Sequence, residues 1–267
     1  MEASVNEKNT RFSQSSDEIH ISNLVYSALN RSKEHLLRPA DPEWIEQAGA
    51  ILVQHCLSKN FDHSVALQEL LDLGFKRETI IDHCIPIAAV RLGEAWVNDS
   101  LSFCEVTLGS SNLQNLLKEI IQDEITTAHL KSGQRYLICV HQSEQHTLGA
   151  LVLGDILRRR GHSLKIKLNA TSSEICELQE ANEYDGIFFS SASYLSVKKT
   201  ADCVREIRKN CNQKVPIFLG GSNIDKISQG VDLSGIDLVT NSLDAVTEYV
   251  ENKRKREINL LNEAAQR

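Results

Sequence analysis

The sequence lacks the patterns that mark several common classes of protein. Its seven cysteines, Cys56, Cys84, Cys104, Cys139, Cys176, Cys203 and Cys211, are scattered, form no CxxC pair and are odd in number. That disfavours a zinc site and a disulfide scaffold, and reduced, buried thiols are expected. No window approaches the roughly 18 to 20 apolar residues of a membrane span, so no membrane crossing is expected. Met1 to Ser16 contains no apolar core of the kind a secretory signal peptide needs, and a cytoplasmic location is expected. Positive charge is also short: 29 Lys and Arg face 36 Asp and Glu, for a net charge of -7, which repels a phosphate backbone. The one dense basic run, Lys253-Arg254-Lys255-Arg256, reads as a solvated helix end matched to the helix dipole, so direct DNA binding is not expected. No nucleophile stands beside a base in sequence, and neither a persuasive carboxylate pair nor a metal quartet is present. The chain is therefore not expected to be an enzyme.

What is present, 267 residues that are 41% hydrophobic and 24% charged, suits two globular units with tails. Residues 1–40 are polar and read as a mobile arm with one short helix near Ile19 to Leu37. Over 41–132 the apolar residues fall at helical spacing, as in Ile80, Ile81, Cys84, Ala88 and in Leu113, Leu116, Leu117, Ile120, Ile121, which predicts a helical bundle. Pro86 removes a backbone donor, so a kink or break is expected just before it, and Asp99 is expected to cap a helix that begins at Ser100 and Leu101.

After Lys131-Ser132-Gly133 the pattern turns to short apolar runs alternating with amphipathic stretches. Strands are expected at Arg135 to His141, Ser163 to Leu168, Tyr184 to Ser190, Val215 to Gly220 and Ile236 to Val239. Helices are expected at Leu148 to Arg160, Ser173 to Ala181, Val197 to Lys209, Asp225 to Gln229 and Asp244 to Lys255. Five βα units over 133–253 make a doubly wound, Rossmann-like (flavodoxin-like) parallel sheet, with a tail at 254–267. The fold class is thus α + α/β, a helical-bundle cap before the sheet domain.

In such sheets ligands sit outside the carboxyl ends of the strands. The loop after strand one runs His141-Gln142-Ser143-Glu144-Gln145-His146-Thr147-Leu148-Gly149. An imidazole there can bind a metal through one nitrogen while a carboxylate, placed at Glu144, holds the other and fixes the tautomer. Taken alone, a loop histidine such as His146 is more often an ordinary polar residue than a ligand. Gly149 lets the backbone bend as the helix starts. The loop after strand three carries Ser190, Ser191, Ser193 and Leu195, and the one after strand four Gly220-Gly221-Ser222. These small residues leave room for a large ligand group, although the serines serve equally as helix caps. No glycine-rich phosphate fingerprint follows strand one, which disfavours an ordinary dinucleotide site.

Together the three loops resemble the cobalamin-binding domain, whose pattern is Asp-x-His-x-x-Gly, then Ser-x-Leu, then Gly-Gly. The resemblance implies that His146 ligates cobalt from below, that Ser193 and Leu195 line the tunnel for the displaced nucleotide tail, and that Gly220 and Gly221 pack against that tail. Glu144 departs from the family's Asp. In the helical half, Gly93, Trp96, Asp99, Phe103 and Val106-Thr107 form a string similar to the photosynthesis-gene antirepressors of the AerR/PpaA type and the related SCHIC domains. Core packing is the alternative role for Trp96 and Phe103.

Photoreceptor repressors that use cobalamin carry a cap Glu-His after the Trp; here Glu105-Val106 stands instead, so an upper ligand must come from elsewhere, with His20 one candidate. The resemblance implies a cobalamin-binding sensor and transcriptional regulator that answers ligand or light by engaging a transcriptional repressor protein. A heme-binding redox sensor of the SCHIC type is the alternative, since histidine ligates heme iron as well. A corrinoid methyl carrier is a second.

Overall fold

The computed structural model describes residues 41–125, 133–211 and 215–265. The expected N-terminal arm at 1–40, His20 and the expected domain boundary around 131–132 lie outside them. The chain divides into two compact units, 1–116 and 117–267.

The first unit is helical throughout its described part. Asp41 caps α1 (Pro42–Leu57) by accepting the Glu43 amide at 3.1 Å, and Pro42 supplies a first helical residue that needs no donor. Ile45, Ala48, Leu52 and Cys56 then recur at three- and four-residue spacing and are buried. In the same way Asp62 caps α2 (His63–Asp72), accepting the amides of Ser64 and Val65.

The break expected before Pro86 is present and has a definite form. A single turn, α3 (Arg77–Thr79), runs into a π-helical turn at Ile80–Cys84, and α4 (Ile85–Val97) follows. In that wide turn the Ile85 amide reaches back five residues to the Ile80 carbonyl. The wider loop moves carbonyls out of the way of a proline ring that a regular helix would clash with. Opposite this region α1 lies so close to α4 that a Cβ on Gly49 would stand 2.5 Å from Ile87 Cγ2.

Asp99 does not cap the following helix. It sits at φ 55, with its amide bonded to the Trp96 carbonyl and the Ser100 amide to the Ala95 carbonyl at 2.8 Å. This pair of bonds is a Schellman closure of α4. The helix after it, α5 (Phe103–Ile125), starts later than expected, where Ser102 and Glu105 satisfy one another's amides. Along α5, Leu113, Leu116, Leu117 and Ile120 are fully buried. Trp96 and Phe103, by contrast, are 50% and 70% exposed, so core packing describes neither.

The second unit holds a five-stranded, all-parallel sheet in the order β2-β1-β3-β4-β5, made by β1 (Arg135–His141), β2 (Ser163–Ala170), β3 (Gly186–Ser190), β4 (Ile217–Gly220) and β5 (Leu238–Val239). The expected doubly wound architecture is therefore present. Its helices are α6 (Leu148–Arg159), α7 (Ser172–Asn182), α8 (Tyr194–Asn210), the short α9 (Ile224–Ile227) and α10 (Leu243–Ala265). One face of the sheet buries Leu137, Cys139, Ile187, Phe189 and Leu219 with residues of α7 and α8, including Ile175, Val204 and Ile207. The other buries Tyr136, Ile138, Val140, Phe188 and Phe218 with Ala150 and Leu157 of α6 and Val246 and Val250 of α10. Each interior strand thus sends alternate apolar residues to both faces, as a sheet covered on both sides requires.

Three strands begin later than their apolar runs. Asp185 makes a backbone bridge to Arg135 instead of extending β3, its carboxylate accepting the Arg135 amide at 2.7 Å. Pro216 has no amide to give to a ladder, and Asp237 spends its carboxylate on the Ile217 amide.

Two other expectations change. Cys176 of α7 is disulfide-bonded to Cys211 at the end of α8, and Cys104 is exposed; only Cys56, Cys84, Cys139 and Cys203 are free, buried thiols. Periodicity cannot distinguish a pair of half-buried thiols that will meet across two helices from two that will not. The basic run 253–256 lies inside α10, which continues to Ala265, so it is not at a helix end. Among the described residues no helix is long and apolar enough to cross a membrane.

Candidate functional site

The sheet order places β1 and β3 side by side, with the chain leaving β1 towards β2 on one side and continuing from β3 towards β4 on the other. The loops at their carboxyl ends therefore part at a topological switch point, the usual ligand crevice of open α/β sheets. His146 lies in the first of these loops and Ser191 to Ser193 in the second.

Glu144 organises the crevice. Its side chain is 2% exposed, while that of His146 is 71% exposed. Glu144 Oε1 accepts from the His146 backbone amide at 2.8 Å and from His146 Nδ1 at 2.6 Å, and its Oε2 accepts the Ala192 amide at 2.8 Å across the crevice. Burial alone would raise the carboxyl's pKa, but the bonds from the His146 ring and from the Ala192 and His146 amides outweigh it and hold it down at about 2. The group is therefore an ionised, acceptor-only carboxylate at neutral pH, so the Nδ1 of His146 must carry the proton. In the neutral ring the Nε2 lone pair is then left facing outward. The same bond raises the pKa of His146.

The remaining predicted residues assemble around this pair. Gly149 stands at the start of α6 where a Cβ would lie 3.3 Å from Ser190 Oγ, so the helix begins directly against the end of β3. Ser193 is the N-cap of α8, its hydroxyl accepting the Ser196 amide at 3.2 Å, and the capping reading of this serine is the one the geometry displays. Leu195 and its neighbour Tyr194 are exposed, at 61% and 53%, an apolar pair presented on the first turn of α8. Ser191 is buried and its hydroxyl bonds that of Thr200.

Gly221 adopts φ +144, and a Cβ there would lie 1.8 Å from the Ser191 carbonyl oxygen; Gly220 accepts the Ser191 amide at 3.0 Å. The loops after β3 and β4 thus run backbone against backbone, which only glycine permits. Trp96 belongs to the first unit and is exposed at the end of α4.

Sequence reasoning missed two contributors. Ala192 acts through its amide alone, and backbone donors leave no trace in residue type. Asn241 accepts the Gly221 amide at 2.8 Å and donates to the Gly221 carbonyl at 2.9 Å, locking the β4 and β5 loops together. A lone Asn after a two-residue strand gives no signal.

An exposed imidazole lone pair, oriented by a buried carboxylate, is a ligand for a soft or borderline metal centre or a base. Among the described residues no cluster of three or more His, Cys, Asp or Glu could hold a bare metal ion, so any metal taken here must bring most of its own ligands.

No protein-family model matches the chain. Among solved structures, the chain is similar to the monomethylamine corrinoid protein of Methanosarcina barkeri, at 15% identity and a TM-score of 0.60, covering 79% of this chain and 99% of that one. That likeness shows the fold. Among curated proteins it is 32% identical over 171 residues to the uncharacterized 20.5 kDa protein in the bchF-crtJ intergenic region of Rhodobacter capsulatus, covering 63% of this chain and 88% of that protein. Identity of that extent over nearly the whole of the relative means that the chain belongs to the family of this Rhodobacter capsulatus protein.

Proposed function

We propose that the protein binds cobalamin, with His146 as the lower axial ligand, and acts as a sensor that regulates transcription through a repressor protein. The observation that carries the cofactor half is the Glu144–His146 pair: a buried carboxylate holds Nδ1 and leaves the Nε2 lone pair outward at the switch point between β1 and β3. The residues suit a corrin. The macrocycle brings its own equatorial nitrogens and needs from the protein one exposed imidazole, as found here. Gly149, Gly220 and Gly221 let the loops around it close on one another, since a Cβ on each would meet a neighbouring residue. His146 would hold the cobalt, Glu144 would set the tautomer and basicity of the ring, and Ser193, Leu195 and the paired glycines would flank the nucleotide tail. When bound, the cofactor supplies a metal centre whose axial ligation responds to light or to chemical state.

The fold neighbour is, by its name, a corrinoid protein, which supports the same ligand class. The regulatory half rests on the string from Gly93 to Thr107, with the family relative named for its place in the bchF-crtJ intergenic region. A corrinoid carrier is the second reading, favoured by that neighbour alone. The regulator ranks above it because the string resembles that of regulators. The exposed Trp96 and Phe103 are part of that string.

The test is spectroscopic. Purified protein titrated with hydroxocobalamin should show a shifted corrin spectrum, in dark and light, that His146→Ala abolishes. A shift unchanged by His146→Ala, or no shift, would end the cobalamin reading. A heme titration with a Soret band lost in His146→Ala would transfer the site to heme. Methyl transfer from the methylcobalamin-loaded protein to an acceptor, with a partner methyltransferase present, would favour the carrier.

A further inference from the structure

On the opposite face of the sheet from α6 and α10, an open groove of about 570 Å³ lies between the end of β1, the start of α7 and one side of α8. Its floor includes His141, which is 8% exposed. The Ser143 amide donates to His141 Nδ1 at 3.2 Å, so Nδ1 is an acceptor and the ring proton sits on Nε2. No bond from Nε2 to protein is formed among the described residues, and the residue lines the groove. Burial, with Lys199 nearby, lowers the pKa and keeps the ring neutral with this single N–H, against the opposite pull of Glu206 and Asp202.

The walls carry three cations and two acids, and their pairing decides what the groove can take. Arg205 is engaged by Asp202 and by the Asp232 carbonyl at 2.9 Å. Lys199 and Lys209 form no ion pair among the described residues and are exposed along α8. Glu206 accepts from Ser172 Oγ at 2.6 Å and has acceptor capacity left. The groove therefore offers one imidazole N–H, two unpaired ammonium groups and one carboxylate that wants a proton donor.

We propose that this groove is a second binding site, for a phosphate that retains one acidic hydroxyl, either inorganic hydrogenphosphate or the monoanion of a phosphate monoester. Phosphate oxygens answer His141 Nε2–H and Lys199, and the remaining P–OH answers Glu206, Lys199 and Glu206 both being charged groups that act on the His141 ring from α8. A dianion without a proton would meet Glu206 as a like charge, and a neutral ligand would leave Lys199 unanswered. The site also adjoins the loop of the proposed cobalt ligand. The same His141 ring anchors Ser143, and the Glu144 amide donates to the His141 carbonyl at 2.8 Å.

The test uses the full chain with ¹⁵N-labelled histidine and no cobalamin, so its outcome does not depend on the cofactor reading. The His141 ring signals, assigned by their loss in His141→Gln, are followed during titration with sodium phosphate against a chloride series of equal ionic strength. A saturable shift with phosphate alone is expected. Lys199→Gln, at an exposed position on α8, should weaken binding by roughly tenfold, the worth of one charge-assisted hydrogen bond. Glucose 6-phosphate in a parallel arm, with both ligands compared at pH about 6 where a monoester keeps roughly half of its second proton, identifies the source: tighter binding than inorganic phosphate assigns the groove to a monoester, and equal or weaker binding to the free ion. A His141 response no larger than in chloride, or a Lys199→Gln variant that binds as the wild type does, would overturn the proposal.

Discussion

At the scale of single residues the site depends on Glu144 more than on the histidine it serves. Replacing it with Gln keeps the volume but removes the ionised acceptor that both His146 Nδ1 and the Ala192 amide use. Hydroxocobalamin affinity should fall about 10- to 100-fold, the usual loss when the group orienting a metal-binding histidine is removed. The pKa of His146, read by ring NMR, should fall back towards the ordinary value of 6.5. In the unmodified protein the pair also sets a pH window for stability. The depressed carboxyl contributes stability above its ordinary 4.5, and that contribution disappears as pH falls towards about 2. The raised imidazole contributes below 6.5 and loses its share as pH rises through the folded-state value. Denaturant midpoints should therefore be highest between about 4.5 and 6.5 as far as this pair decides, and that maximum should flatten in Glu144→Gln. Cofactor affinity should run the other way, rising with pH as the proton leaves Nε2. His146 and Glu144 were legible in the sequence because a two-residue spacing suffices for one loop to fold back on itself. Ala192 and Asn241 were not, since their contributions depend on loops 48 and 20 residues away in sequence.

At the scale of elements, each strand and helix of the sheet unit was recoverable from hydrophobic period, and the misplacements share a cause. Asp99, Asp185, Asp237 and the run at 253–256 are polar residues whose local options are several. Asp99 suits an N-cap and a left-handed C-terminal position alike, and tertiary context chose the latter. The Cys176–Cys211 link was invisible for a related reason: neither position is distinguished until α7 and α8 are packed side by side. Because the bond closes a 35-residue separation, opening it should cost about 4 kcal/mol in the chain-entropy account. Thermal unfolding with and without reductant measures this, with Cys176→Ser as the matched variant. The variant should melt at the lower temperature and show no further response to reductant.

At the scale of the whole molecule, the order of units and the parallel sheet followed from the change in apolar period near residue 133, while nothing in the composition could say where α5 would be divided between units. The site's dependence on contacts distant in sequence also bears on how the protein is made. Glu144 cannot clasp Ala192 until the strand that carries it has found a neighbour 48 residues further along the chain, so the crevice is a product of completed folding and not of local structure. In refolding experiments, far-ultraviolet helix signals should recover before the His146 ring reaches its native chemical shift. A nascent or partly folded chain would then hold the proposed cofactor weakly, and ligand capture would serve as a check that assembly is finished.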